Sequence, residues 1–288
     1  MLNEDQLKKK LTTIAQNEFR LSENELATII PEMVHHIGAT DSQLRDELIY
    51  PTFGTWILEH NALSHSQLRD LLQQALSNQQ IFYNIGEQNS DSVFRRSFSV
   101  LLLPLILIAH RSTPFLTPAE INQIKAKTLR YLSQEQDLRG FIAGKGWAHA
   151  IAHAADVLDD LAQCVELNEV DLMEILEAIR SIIAVQDVGY IYGEDERVVT
   201  AVIAIINRHL ISDADVIQWI HSFAAPVLDA QSMPQQLIIR TNVKTFLQSL
   251  YFRLQWEKME DDFESSINQT LHKISFYTNE TDILAKLD

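Results

Sequence analysis

Cysteine is nearly absent. Cys164 stands alone, which excludes an intrachain disulfide or a thiolate zinc site and fits a reducing cytoplasm. Glycine and proline are scarce too, at eight and seven in 288 residues. An all-β chain with a turn every dozen residues, or a glycine-rich α/β enzyme, uses more of both, so long helices are favoured. Positive charge is in deficit, with 23 Lys and Arg against 39 Asp and Glu and a formal charge of −16. No Lys/Arg run supplies the concentrated basic surface that neutralises phosphates, so nucleic acid is not expected as a partner. The most apolar stretch, Phe98 to Ala109, holds Ser99 and Pro104 and falls short of the roughly 20 residues that span a bilayer. It reads as a buried core helix, and no membrane partner is expected. Met1-Leu2-Asn3-Glu4-Asp5 lacks the basic and apolar regions of a secretory signal.

What is present is helix punctuation. Apolar residues make up 46% of the chain, enough for a sizeable core. Ser22-Glu23-Asn24-Glu25 and Thr117-Pro118-Ala119-Glu120 are capping boxes, the second with proline at the first helical position. Ser212-Asp213-Ala214-Asp215 opens another helix with acids that complement the macrodipole. Between such starts apolar residues recur at helical spacing, as in Leu172, Ile175, Leu176, Ile179 and Ile183. The pattern predicts helices near 3–17, 22–37, 41–60, 65–78, 91–110, 118–134, 145–164, 168–185, 194–210, 213–224, 235–254, 257–275 and 280–287. Pro51 and Gly54 are expected to kink the third, and Val188 to Tyr192 is read as a loop. The fold class is all-α: an α-solenoid of stacked antiparallel hairpins, HEAT- or armadillo-like, with a closed helical bundle or toroid as the alternative. No repeat signature and no Ser-, Pro- or Gly-rich linker divides the chain, so residues 1–288 are taken as one domain whose weakest point is Ser133 to Gly146.

Five of the eight glycines, Gly140, Gly144, Gly146, Gly189 and Gly193, fall between 140 and 193 and mark two loops. In the first, Arg139, Lys145, Gly146 and Trp147 precede a predicted helix whose free amides, beside the two cations, form an anion site. The loop is not a Walker A, since three residues separate Gly140 from Gly144 and Gly146 follows Lys145. A rotation of about 100° per residue sets His149, His153, Asp156 and Asp160 in one sector of roughly 60°. Trp147, Ile151, Ala154, Leu158 and Leu161 fall on the other side, toward the core. His149, His153 and Asp156 are thus candidate ligands for a divalent metal ion, although a solvent-facing stripe has the same pattern. The second loop, Gly189 to Arg197, adds Glu194, Asp195, Glu196 and Arg197, and its acids are expected either to complete a metal site or to pair with Arg139 and Lys145. Arg45, Asp46, Arg95 and Arg96 are read as cross-links between hairpins. Nucleophilic catalysis has no Gly-x-Ser-x-Gly elbow to rest on.

Arg139-Gly140-Phe141 to Asp156, with Gly193-Glu194-Asp195-Glu196-Arg197 and Arg45-Asp46-Glu47-Leu48, resembles an uncharacterised bacterial family, the domain of unknown function two-seven-eight-five. The resemblance implies a soluble bacterial protein and brings no activity or catalytic residue with it. The expectation is a cytoplasmic scaffold with a polar groove shared by the two loops, holding a small anion or an acidic group of a peptide or protein partner. Rival readings are a metal-dependent hydrolase on His149, His153 and Asp156 and a purely structural partner-binding protein.

Overall fold

The protein is described here from a computed structural model covering residues 1–259 and 261–276. The helix expected near 280–287 lies outside the described residues.

Local capping chemistry sets most helix starts. Asn3, Ser22, Ser64, Thr117 and Asn168 each close a capping box, at the heads of α1 (Glu4–Gln16), α2 (Glu23–His35), α4 (His65–Ala75), α6 (Pro118–Gln134) and α8 (Glu169–Ile183). Between α2 and α4 the expected kinked helix is a run of changing pitch. A π-helical segment (Gln43–Ile49) leads into α3 (Tyr50–Gly54) and then into a second π-helical segment (Thr55–Glu59). Pro51 has no N–H to donate, and the wider turns before it take up the disturbance.

The chain divides into two compact units, Met1–Leu167 and Asn168–Asp288, and the polar Ser133 to Gly146 stretch lies inside the first. At the centre of that unit is α5 (Ser92–Ser112), which packs on α3, α4 and α7 (Ala150–Ala162). It is the one helix among the described residues long and apolar enough to cross a membrane, and its most apolar window is 83% buried inside the protein. Alanines 150, 152, 154 and 155 are fully buried and let α7 lie close against it. The helix expected to begin at 145 begins at Ala150. Gly144 (φ +78°) and Gly146 (φ +84°) instead turn the chain through a hairpin of β1 (Phe141–Ile142) and β2 (Gly146–Trp147).

In the second unit α9 (Glu194–Ile206), α10 (Asp213–Ser222), α11 (Ala224–Leu228) and α13 (Asp261–Ile274) join α8 and the long α12 (Met233–Glu257). The helix expected over 213–224 is interrupted at Phe223. Among the described residues α8, α9, α11 and α13 touch α12. Its Val243, Phe246, Leu247, Leu250 and Leu254 are fully buried, forming a stripe at helical spacing.

Candidate functional site

The hairpin of the first unit is held from beneath by a buried cation. Antiparallel pairing sets Phe141 opposite Trp147, and Ala148 and His149 continue the ladder by donating to the Gly140 and Arg139 carbonyls. Arg45, completely buried, donates from Nη1 to the Ala39 carbonyl and from Nη2 to the Lys145 carbonyl at 2.7 Å. Its guanidinium lies 4.2 Å from the Phe94 ring centroid and 4.8 Å from that of Phe98. Burial raises the Asp46 carboxyl above the usual carboxylate range, against the pull of Arg45. A Cβ on Gly146 would stand 2.8 Å from Ser42 Cβ and 2.9 Å from Asp46 Oδ2, so the backbone approaches this pair at a distance only glycine permits. Arg45, read as a cross-link, is therefore the anchor of the hairpin.

The two cations expected to hold an anion are engaged by acids of their own unit. Lys145 Nζ lies 2.7 Å from both carboxylate oxygens of Asp91. Arg139 donates to Asp137 at 2.7 and 2.6 Å and to the Ser90 carbonyl at 2.9 Å. Neither partner is among the acids at 194–196. Nor do Lys145 and Gly146 open a helix: His149, in left-handed conformation (φ 48°), caps α7. Trp147, expected on the core side, is 39% exposed and packs edge-on to Phe141 with ring centroids 4.9 Å apart.

Two members of the His/Asp stripe, His153 and Asp160, meet α5 rather than solvent. His149 stacks on Trp147 at 4.3 Å between centroids and lies 5.8 Å from His153. His153 is 4% exposed, sets its Nδ1 3.3 Å from the Ser97 carbonyl and meets Phe98 edge-on. Asp160 pairs with Arg111 of α5, and burial pushes its carboxyl up to about 7. Among the described residues no group of three or more His, Cys, Asp or Glu side chains is disposed to hold a metal ion. This geometry therefore does not carry the set of His149, His153 and Asp156 forward as a metal centre.

The second glycine-marked loop belongs to the other unit and is fixed by contacts the sequence did not announce. Asn242 of α12 accepts from Tyr190 N–H at 2.9 Å and donates to the Val188 carbonyl at 2.9 Å. Tyr190 Oη donates to the Ile182 carbonyl at 2.8 Å. Glu194 is 2% exposed, and its Oε2 accepts from Tyr192 N–H at 2.9 Å. Its role is to close the loop onto α9. Arg197 remains at the surface, on the rim of a half-open groove of about 580 Å³ between the first turns of α9 and the last turns of α12. Phe252 and Trp256 flank it, one helical turn apart, 49% and 74% exposed, with ring centroids 6.3 Å apart and planes inclined 27°. Arg253 sits between them in sequence, donating from Nη2 to Thr200 Oγ1 at 3.1 Å, with Nε 3.2 Å from Glu257 Oε1. Thr245 and Gln248 also line the groove. Sequence reasoning missed Phe252, Arg253 and Trp256. The signal was present, because both aromatics fall off the buried α12 stripe and onto its polar side.

Fold and geometry define an all-helical protein with a hairpin locked by a buried arginine and an aromatic, arginine-bearing groove. The chain belongs to the family described as Protein of unknown function (DUF2785), whose profile matches residues 81–252. That span takes in the hairpin, the second loop and the groove residues up to Phe252. No curated protein and no solved structure matches the chain.

Proposed function

We propose that this chain is a binding scaffold of the bacterial cytoplasm whose ligand seat is the groove between α9 and α12. The observation that carries the reading is the pair Phe252 and Trp256, two large aromatics held side by side in solvent next to Arg197 and Arg253. Isolated exposed aromatics need no explanation, but a stacked pair on the wall of a groove within the usual volume of ligand sites does. Apolar surface to cover one part of a ligand and guanidinium groups to pair with an anionic part suit a small anion with an apolar body or an acidic peptide. Arg139 and Lys145, engaged by Asp137 and Asp91 as Arg253 is by Glu257, do not line this groove. The architecture is best read as a bundle, because α9 pairs with α12 and α10 with α13 across two intervening helices, whereas stacked hairpins pair helices next or next but one in sequence.

The test is a thermal-shift screen of carboxylates, phosphates and short peptides, with tryptophan fluorescence as a second readout, on the full chain and on Trp256→Ala. Stabilisation by a panel member that Trp256→Ala abolishes supports the seat. A flat panel, or hits indifferent to Trp256→Ala, overturns it.

A further inference from the structure

We propose that the β1–β2 hairpin is a strap, hinged at His149 and latched on Arg45 and Asp46, which lifts and winds Trp147 to His149 onto the start of α7. The hinge is the first argument. His149 holds the cap position of α7 with φ 48° and ψ 39°, a left-handed backbone that glycine adopts freely and that strains a residue with a side chain. Helices α1, α2, α4, α6 and α8 place Asn, Ser or Thr at that position in extended conformation. Strain of this kind persists only while the surrounding contacts over-determine it. Once the hairpin lifts, His149 relaxes into the right-handed region, which is the geometry of α7 itself.

The second argument is that the same residues fit a second structure. Trp147 stands four residues before Ile151, seven before Ala154 and eleven before Leu158, all three of which are buried. That spacing continues the buried side of α7 by about one turn, and Gly146 suits the cap of the longer helix. Local sequence thus favours helix where tertiary contacts impose a hairpin, the conflict expected of an element with two states. The latch is the third argument. Asp46 accepts the Trp147 N–H, while Arg45 Nη2 donates to the Lys145 carbonyl at 2.7 Å and to the Trp147 carbonyl at 3.4 Å, so the pair takes the place of a neighbouring strand. At the rim Lys145 and Asp91, 40% and 47% exposed, add a contact that water screens. Lifting breaks these polar contacts and leaves the packing of α7 on α5 in place, so the opening is local. Closed, the strap presents Phe141 and Trp147 to solvent; open, it bares the Arg45–Asp46 pair.

The test is amide hydrogen exchange read by NMR on the full chain and on His149→Gly, His149→Ala and Asp91→Asn. Both His149 variants lose the ring stacked on Trp147, so the ratio between them reads the backbone alone. The Ala148 amide, which donates to the Gly140 carbonyl, should exchange on the order of a hundredfold faster than the core amides of α5, at a rate insensitive to low urea. It should exchange about tenfold faster in His149→Ala than in His149→Gly, and about threefold faster in Asp91→Asn than in the wild type. In His149→Ala the Cα shifts of Trp147 and Ala148 should move toward helical values. Hairpin amides that exchange only together with those of α5, equal rates in the two His149 variants, or shifts that move toward random coil each overturn the proposal.

Discussion

Asp160 shows how one side chain couples burial to pH. Its carboxyl lies in the packing between α7 and α5 beside Arg111, and burial raises it from the ordinary 3.8 to about 7. Between those values the unfolded chain has released this proton while the folded chain keeps it, so the folded state binds more protons and stability falls as pH rises through that window. The slope from this group is at most about 1.4 kcal/mol per pH unit, and above the folded value it levels off. Urea unfolding of the wild type and of Asp160→Asn between pH 5 and 8 checks this. The difference between the two proteins should shift in favour of the variant as pH rises, and parallel curves would contradict the assignment.

At the scale of elements, the β1–β2 hairpin tests how a helix start was displaced. Gly144 and Gly146 both have positive φ, but nothing lies within 4 Å of an added Cβ at Gly144, whereas at Gly146 it would meet Ser42, Asp46 and Arg45. Gly144→Ala is therefore expected to cost only the left-handed backbone penalty, about 1 kcal/mol. Gly146→Ala adds overpacking against the buried Arg45 and its half-buried partner Asp46, for a total of about 3 kcal/mol. Chemical denaturation measures both, and equal losses would show that the close approach to Arg45 carries no weight.

At the scale of the molecule, each unit closes its own core, around α5 in one and α12 in the other. Residues 1–167 and 168–288 expressed separately should each unfold cooperatively in denaturant, followed by far-UV circular dichroism, and the second should keep the tryptophan response of the groove. A fragment that melts without a transition would mean that its core depends on the rest of the chain.

What the sequence determined by itself is local. Capping residues, proline at first turns and apolar spacing placed most helices to within a few residues, though not α11 or the break-up of the expected 41–60 helix, because the interactions that start and stop a helix lie within four residues of its end. The glycine cluster also marked the two loops correctly. Tertiary structure decided which polar side chains are buried and with which partners. Lys145 finds Asp91 54 positions away, Arg45 finds the Lys145 carbonyl 100 positions away, and His153 and Asp160 of α7 turn inward because α5 supplies Ser97, Phe98 and Arg111 to meet them. A polar stripe has the same period whether it meets water or another helix, so only the packing could distinguish the two.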